Sequence, residues 1–415
     1  MPSTGSNGTH AHVVIVGAGA AGLTAAIFAA RRRPEATIVV LDGARRLGAK
    51  ILASGGGRCN VTNVRVTPAD FCGGSPNIIR RVLDAFPVDQ TVAFFREIGV
   101  ALHEEENGKL FPDSNDAHTV RDALLAEARA RGVRIVHPAR VDDIVRDEAG
   151  FCLRVEDTIW TSPRVVLATG GLSLPQTGSD GSGYTLARSL GHSIVPTTPA
   201  LDPLVLQGDF HASLAGIAHD VELAVAAEGS KPLRHAGALL WTHFGVSGPV
   251  VLDVSRHWHR ATLEKRRVTI TANLLPGHDF ASVERALLAL AESQPRSFLR
   301  NALASRIPAR LAAALLARIP LDGQIPMAHV TKPDRRRLTR ALHDWPLPVV
   351  AGRGYDHAEV TAGGVPLDEI DPATLASRPC PGLYLVGEIL DVDGRIGGFN
   401  FQWAWSTAHV AAHAL

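Results

Sequence analysis

The sequence predicts an α/β protein in which a nucleotide-binding domain with a parallel sheet is interrupted by a second, β-rich domain. Three observations predict this fold: a strand, glycine turn and helix near the N-terminus, a change of charge in the middle of the chain, and a return to glycine turns and a strand before the last helix. The 415 residues allow two to three domains. With 46% hydrophobic and 20% charged residues, the chain can bury a core and is not a disordered segment.

The first predicted element is a βαβ unit. Residues 13–16 are a continuous apolar run, typical of a strand buried on both faces, and they lead into the turn Gly-Ala-Gly-Ala-Ala-Gly at 17–22. A small-residue helix follows to about Arg33, and a second strand, 37–41, ends at Asp42. This acid comes 20 residues after the last glycine (42 − 22), which completes the pattern of a dinucleotide-binding turn.

The residue types of this turn explain how it would bind a dinucleotide. Gly17 permits the tight turn, Gly19 lets the backbone approach a pyrophosphate, and Gly22 lets helix and strand pack closely. The amides at the helix start offer positive charge to phosphates, and Asp42 can accept hydrogen bonds from ribose hydroxyls. The alternative is a glycine-rich turn that binds no nucleotide, and the surrounding strand, helix and acid disfavour it.

A second glycine-rich segment, residues 54–63, has the sequence Ser-Gly-Gly-Gly-Arg-Cys-Asn-Val-Thr-Asn. Three consecutive glycines cannot pack a core and suit a loop whose backbone lies against a flat ligand. Arg58 can pair with a phosphate, and the Asn and Thr side chains can fix the loop or contact a ring. A flexible surface loop is the alternative.

Further elements of this domain follow from periodicity and turn residues. We predict helices at 94–99 and 120–131, a strand at 133–136, and a β-meander over 140–168 with strands at 141–145, 151–155 and 164–168. The loop 170–183 is rich in glycine but is not a second dinucleotide-binding unit, so no separate NAD(P) domain is expected.

The middle of the chain predicts an inserted domain. Residues 196–354 contain 19 Lys/Arg and 13 Asp/Glu, a net charge of +6, whereas the flanks contain 23 and 28, a net charge of −5. Strands are predicted near 221–226 and 268–272, and residues 283–319 have helical spacing. The predicted domains are therefore 1–196 with 355–415, and an insertion 197–354 that is β-rich at 197–275 and 329–354 and helical at 276–328.

The C-terminal elements suggest a flavin contact. A strand at 383–386 leads to Gly387-Glu388, an acid-containing glycine loop from Asp391, and a terminal helix. The N-terminus of that helix would offer partial positive charge to the isoalloxazine and stabilise an anionic reduced flavin. A surface turn before an amphipathic helix is the alternative.

Composition excludes several classes of protein. Lys and Arg number 42 against 41 Asp and Glu, which excludes a globally basic nucleic-acid coat. The four cysteines, Cys59, Cys72, Cys152 and Cys380, form no C-x-x-C pair, so neither a disulfide scaffold nor a zinc site is expected and the metal prediction is none. The polar residues 1–10 predict no signal peptide, and the glycines within the apolar stretch 13–30 disfavour a membrane span. We expect a cytoplasmic protein with no membrane partner.

Taken together, the motifs resemble one family, the BaiN/YhiN-type flavoproteins, described as NAD(P)/FAD-dependent oxidoreductases. The resemblance covers nearly the whole chain and is carried by residues 54–63, 109–112, 168–183, 242–249, 361–365 and 387–403. It implies a glutathione-reductase-like FAD-binding Rossmann domain, interrupted by a β-rich insertion with a small helical subdomain. It also implies tightly bound FAD, with a substrate cleft between flavin and insertion.

The motifs and the resemblance together give one predicted FAD site. Its residues follow the strand ends and glycine loops of the first domain, and they are Gly17, Gly19, Ala20, Ala21, Gly22, Asp42, Lys50, Ser54, Gly55, Gly56, Gly57, Arg58, Cys59, Asn60, Thr62, Asn63, Val141, Ala168, Thr169, Gly170, Gly387, Glu388, Asp391, Gly397, Gly398, Phe399 and Asn400.

Two residues are candidate proton donors. Cys59 lies beside an arginine, which would lower its pKa, although it can equally be a small packed residue. His243 lies in one of the family motifs of the insertion, although a lone histidine is more often structural. The run 257–260 is interpreted as a solvated strand end, and the arginine-rich run 332–340 as a solvated helix face that could contact RNA.

The family has been linked to three substrates, so the predicted function has alternatives. The main hypothesis is reduction of an activated C=C bond in a small molecule, with NAD(P)H as a transient electron donor to FAD. The alternatives are reduction of a uridine in ribosomal RNA, oxidation of a small amino-ketone with O₂, and a flavin-binding protein without turnover. The basic insertion favours RNA, while its few aromatic residues do not. The sequence does not predict an oligomeric state.

Overall fold

A computed structural model describes residues 9–415. Residues 1–8, which are most of the polar segment used above to judge whether a signal peptide is present, lie outside the described residues. Two compact units are present: unit 1 runs to Thr197 and resumes at Glu359–Leu415, and unit 2 is Thr198–Ala358. The sequence places these divisions at 196/197 and 354/355.

The strands, in chain order, are β1 Thr9–His10, β2 Val13–Val16, β3 Ile38–Leu41, β4 Thr62–Asn63, β5 Phe71–Gly73, β6 Leu102–Glu105, β7 Lys109–Pro112, β8 Arg134–Val136, β9 Asp143–Arg146, β10 Phe151–Val155, β11 Thr158–Ser162, β12 Val165–Leu167, β13 Val195–Ala200, β14 Leu204–Leu206, β15 Ala218–Ala227, β16 Leu233–Trp241, β17 Gly245–Ser247, β18 Val268–Asn273, β19 Trp345–Leu347, β20 Val349–Gly352, β21 Val360–Gly364, β22 Leu383–Leu385 and β23 Val392–Gly394.

The α-helices are α1 Ala20–Arg32, α2 Ala49–Ala53, α3 Pro76–Ala85, α4 Val88–Glu97, α5 Ala117–Ala130, α6 Ser182–Ser189, α7 Pro249–Leu263, α8 Phe280–Ser293, α9 Leu299–Ala304, α10 Ala309–Arg318, α11 Lys332–His343 and α12 Phe399–Ala414. Among the described helices, none is long and apolar enough to span a bilayer.

Unit 1 is built on a five-stranded sheet of order β22-β12-β2-β3-β8. Every pairing in it is parallel, and β2, β3, β12 and β22 are buried at every position. Helices α5 and α12 pack against α1. The predicted α/β fold and its first βαβ unit are therefore confirmed.

One strand of the predicted meander belongs elsewhere. β9, β10 and β11 form an antiparallel sheet with β1 at its edge, but β12 lies between β2 and β22 in the parallel sheet. The burial patterns explain the difference, because β10 alternates buried and exposed residues whereas all three residues of β12 are buried. The prediction that 164–168 completes the meander is thus wrong.

Unit 2 is built on a seven-stranded sheet of order β19-β18-β15-β16-β17-β14-β20. Its pairings are antiparallel. The predicted helical stretch 283–319 contains parts of the three helices α8, α9 and α10, with Pro295 and Pro308 in the segments between them.

The interpretation of 257–260 as a solvated strand end is wrong. These residues lie within α7, whose buried positions Val250, Val254, Trp258 and Ala261 recur at helical spacing. Burial lowers the pKa of His257 to about 4, and the neighbouring His259 bonds a buried carboxylate. The arginine-rich run 332–340 does lie on a helix, α11.

Candidate functional site

The glycine turn after β2 combines two close contacts with one open position. A Cβ on Gly17, where φ is +107°, would lie 2.4 Å from the Ala168 carbonyl oxygen, and one on Gly22 would lie 1.8 Å from the Gly17 oxygen. A Cβ on Gly19 would meet no described atom within 4 Å outside its own helix and chain neighbours. Gly17 and Gly22 therefore serve packing, while Gly19 leaves backbone open to a ligand.

The start of α1 is also available to an anion. Gly19 is the N-cap, and no described side chain caps the helix, so the first-turn amides of Ala20 and Ala21 keep their hydrogen-bonding capacity. Asp42 holds the turn in shape, because its Oδ2 accepts from Ala18 N at 2.5 Å and its Oδ1 accepts from Ala44 N at 2.7 Å. Each carboxylate oxygen keeps a second lone pair for a ribose hydroxyl.

The loop 54–57 turns its backbone outward. Gly55, Gly56 and Gly57 all have left-handed φ values, +58°, +68° and +86°, which suit glycine. A Cβ on Gly56 or Gly57 would meet no described atom within 4 Å, and Ser54 Oγ secures the preceding turn by donating to Ile51 O at 2.8 Å. This open backbone fits the flat ligand surface that the sequence predicts.

Arg58 points to a carboxylate rather than to open space. Its Nη1 donates to Glu105 Oε1 at 2.6 Å, and its guanidinium lies 4.1 Å from the centre of the Phe111 ring. This pairing lowers the pKa of Glu105 below its usual value. Arg58 therefore ties the glycine loop to β6 and β7, and the phosphate contact expected from the sequence stays a prediction.

The pKa of the Cys59 thiol is shifted in the direction opposite to the one expected from the sequence. The Cys59 side chain is 0% exposed, and burial raises the pKa of its thiol to about 12. The Arg58 guanidinium contacts Glu105 and Phe111 instead. The expectation of a lowered pKa is wrong, and the packed position fits a structural residue.

The polar residues after Cys59 secure the start of α12. The Asn60 amide oxygen accepts from Gly398 N at 3.1 Å, Thr62 Oγ1 donates to Gln402 Oε1 at 2.7 Å, and Asn63 Nδ2 donates to Gly397 O at 3.2 Å. A Cβ on Gly398 would lie 2.5 Å from the Thr62 carbonyl group. Glycine at 398 is thus required for the loop and the helix to meet.

The N-terminus of α12 resembles that of α1 in being open. Gly398 is its N-cap with φ +92°, and no described side chain caps it. Phe399 is buried, and the Asn400 amide bonds Gly394 through both its ends, at 2.8 Å and 2.9 Å. Asp391 fixes the preceding loop through its carbonyl, which accepts from Gly74 N at 2.8 Å.

A network at the end of β22 joins three predicted segments. Lys50 Nζ lies 2.7 Å from Glu388 Oε2, and Glu388 Oε1 accepts from Thr361 N at 2.9 Å. The buried Thr361 hydroxyl in turn accepts from Leu172 N at 2.7 Å. Thr361 is missing from the predicted site, although it lies in the motif 361–365, because the sequence does not show which strand end it reaches.

The segment after β12 offers a polar atom without a partner. Thr169 Oγ1 is buried and has no hydrogen-bond partner among the described residues. Gly170 beside it has φ +71°. Val141 is buried, and two residues before it Ala139 N donates to Asp42 O, just beyond the end of β3, at 2.7 Å.

The arrangement fits FAD. Gly17, Asp42, Ala168 and Gly387 all follow carboxyl ends of neighbouring parallel strands, where α/β sheets bind nucleotides. The open Gly19 backbone, the uncapped α1 and the unpartnered Thr169 hydroxyl are features that a bound dinucleotide would complete. His243 belongs to unit 2, where it is exposed and its ring lies edge-on to Phe244 at 5.1 Å.

Solved structures show the same fold. E. coli quinol fumarate reductase FrdA superposes with a TM-score of 0.53 at 17% identity, covering 98% of this chain and 70% of that chain. The 3-ketosteroid delta1-dehydrogenase of Sterolibacterium denitrificans superposes with a TM-score of 0.51 at 12% identity, covering 98% and 99%.

Sequence relatives match over nearly the full length. The chain is 34% identical over 400 residues to the 3-dehydro-bile acid delta(4,6)-reductase of Clostridium scindens, covering 96% of this chain and 98% of that protein. It is 35% identical over 408 residues to the ribosomal RNA dihydrouridine synthase of Escherichia coli, covering 97% of each. Residues 11–414 match the family described as HI0933-like protein Rossmann domain. The chain therefore belongs to the HI0933-like family, the BaiN/YhiN-type flavoproteins, and is an FAD-dependent oxidoreductase.

Proposed function

We propose that this protein reduces a carbon–carbon double bond conjugated with a carbonyl group, using electrons that NADH or NADPH supplies. The observation that carries the proposal is the near-complete match to the bile acid reductase, which leaves no domain of either chain unmatched. Two relatives are named as dihydrouridine synthases, and the double bond of a uracil ring is also conjugated with a carbonyl. One reaction class thus accommodates both names.

The residues of unit 1 suit this chemistry. FAD, when bound, supplies the hydride for such a reduction. The open amides at Gly19 and α1 would hold its pyrophosphate, and Asp42 would hold a ribose. The free N-terminus of α12 would favour negative charge on the ring system of the cofactor.

The nicotinamide nucleotide would bind without a domain of its own. Unit 2 has an antiparallel sheet, which lacks the parallel βαβ unit of a dedicated nucleotide-binding fold. We therefore propose that NAD(P)H binds transiently, donates electrons and leaves before the substrate is reduced.

Anaerobic stopped-flow absorbance tests the proposal in two steps. NADPH or NADH is expected to bleach the visible flavin band of the holoenzyme, and an α,β-unsaturated ketone added next is expected to restore it. The matched saturated ketone is the control and should leave the flavin reduced. The oxidase alternative predicts a different result. No conjugated carbonyl compound would then restore the band, whereas a small amino-ketone would bleach it and O₂ would restore it.

Ribosomal RNA is the second candidate substrate, and the charge of unit 2 favours it. Residues 198–358 contain 19 Lys/Arg and 14 Asp/Glu, a net charge of +5. On α11, Lys332 and Arg340 are exposed, whereas Arg335 and Arg336 lie near Glu284. Replacing Lys332 and Arg340 together by alanine should weaken binding of ribosomal RNA fragments and flatten its salt dependence. Unchanged affinity and salt dependence would remove the support that α11 gives to this candidate.

A further inference from the structure

The sheet of unit 2 brings Phe244 and Arg353 together, although 109 positions separate them (353 − 244). Strand β14 lies between β17 and β20. Leu204, the first residue of β14, pairs with Val246 on one side and with Gly352 on the other. Phe244 directly precedes β17 and lies opposite Leu206, whereas Arg353 directly follows β20 and lies opposite Pro203, so their side chains meet diagonally across β14.

Across β14, the Arg353 side chain is held against an aromatic ring. Its guanidinium carbon lies 4.7 Å from the centre of the Phe244 ring, and its Nη2 donates to His357 Nε2 at 2.8 Å. The His243 ring meets Phe244 edge-on at 5.1 Å. Arg353, His243 and His357 are exposed and Phe244 is half-buried. We call these four residues the Arg353 cluster.

The backbone beneath the cluster is fixed by buried groups. Arg353 N donates to Pro203 O at 3.1 Å, and Gly354 N donates to Asp202 Oδ2 at 3.1 Å. Asp202 is fully buried, and its Oδ2 also bonds His259 Nε2 at 2.8 Å. The Phe244 carbonyl accepts from Leu206 N at 3.1 Å. Little conformational entropy is therefore left to lose when the cluster binds a ligand.

The charge of Arg353 is not neutralised by the protein. Within the described residues no carboxylate pairs with it, whereas Arg234 and Arg266 of the same unit lie 2.6 Å and 2.7 Å from glutamate oxygens. Among the described residues, Arg353 contacts a ring face and one imidazole nitrogen, which leaves most of its N–H donors free. A planar, preorganised guanidinium with free donors is suited to a carboxylate or a phosphate.

We propose that Arg353 is a specificity-determining residue that binds an anionic oxygen of the substrate, a carboxylate or a phosphodiester, with Phe244 and His357 holding it in position. The inference rests on the proposed function only in assuming that this anion belongs to the molecule that is reduced. His243, at the edge of the same ring, then contributes a neighbouring hydrogen-bonding group rather than acting alone.

Binding to the FAD-loaded protein tests the proposal with two matched pairs of probes. One pair is a 3-oxo-4-ene steroid acid and its methyl ester, and the other is a short oligouridylate and its uncharged methylphosphonate analogue. Arg353→Gln should weaken binding of the charged member of one pair by about tenfold to hundredfold and change its uncharged partner by less than about twofold. The pair that responds identifies the anion as carboxylate or phosphodiester.

Two further variants separate this role from general effects. Arg300→Gln is the matched control, since Arg300 also lies over a ring of unit 2, that of Phe298, at 5.8 Å, and it should leave all affinities unchanged. Phe244→Leu should weaken the charged probe severalfold, because the guanidinium loses its support. Equal loss for both members of a pair, or no loss for either charged probe, would overturn the proposal. Reoxidation of the reduced flavin by the uncharged ester reports separately on the proposed reduction.

Discussion

At the scale of single residues, the three glycines of the first turn differ in what surrounds them. A Cβ on Gly22 would lie 1.8 Å from the Gly17 oxygen. A Cβ on Gly19 would point into open space, and the φ of −83° at Gly19 is one that other residues also adopt. The sequence pattern names all three glycines but cannot tell packing from ligand contact, because the neighbouring atoms come from the turn's own fold and from the distant Ala168.

This difference predicts opposite effects of two alanine substitutions. Gly19→Ala should leave the thermal stability of the apoprotein nearly unchanged and raise the Kd for FAD by about tenfold or more, since the methyl group occupies the open backbone. Gly22→Ala should destabilise the apoprotein by about 1–3 kcal/mol through overpacking. Thermal unfolding and FAD titration of both variants measure the two effects, and the same loss of stability in both would refute the assignment.

Cys59 gives a second prediction at this scale. Because burial raises the pKa of its thiol to about 12, Cys59→Ala should leave the pH profile of substrate reduction unchanged while FAD remains bound. A small loss of stability, about 1–3 kcal/mol, is expected from the cavity. Loss of substrate reduction by more than a hundredfold in a variant with full flavin content would restore Cys59 as a proton donor.

At the scale of elements, the sequence predicts best those strands, turns and helices that depend only on residues close together in the chain. The strand, turn and helix of the first βαβ unit depend on local pattern and are confirmed within a residue or two of the predicted bounds. The pairing of β12 with β2 and β22 depends on residues far away in the chain, and the prediction fails there. The contacts of Arg58 with Glu105 and of Phe244 with Arg353 also join residues that are far apart in the chain, and no local sequence pattern indicates them.

Helix α12 predicts how stability depends on pH. Burial between aromatic rings, Phe86 at 4.5 Å and Phe28 at 4.9 Å, lowers the pKa of His409 to about 4 from its ordinary 6.5, and the nearby His413 adds to the shift. The unfolded chain protonates His409 at a higher pH than the folded chain does. The contribution of neutral His409 to the free energy of unfolding is therefore complete above about pH 6.5 and declines as the pH falls toward 4.

His409→Phe should therefore reduce the loss of stability between pH 7 and pH 5, since it keeps the ring and removes the titration. Urea unfolding of wild type and variant at both pH values measures the difference. An identical pH dependence in the two proteins would contradict this role of His409.

At the scale of the whole molecule, unit 1 contains the features expected of an FAD site, and unit 2 contains the Arg353 cluster and the basic α11. The lowered pKa expected for Cys59 is wrong, whereas the roles of His243 and of the cofactor-binding residues stay predictions. Glycine turns and helix starts bind a nucleotide through local backbone, whereas the pKa of Cys59 and the surroundings of His243 depend on packing that only the folded chain defines.

The flavin content of the purified protein tests the central claim most directly. The protein is purified, freed of unbound flavin and unfolded, and the released flavin is identified by chromatography and quantified against the chain. The open pyrophosphate position at Gly19 predicts one FAD per chain. FMN in its place, or a protein that contains no flavin and cannot be loaded with FAD, would contradict the account.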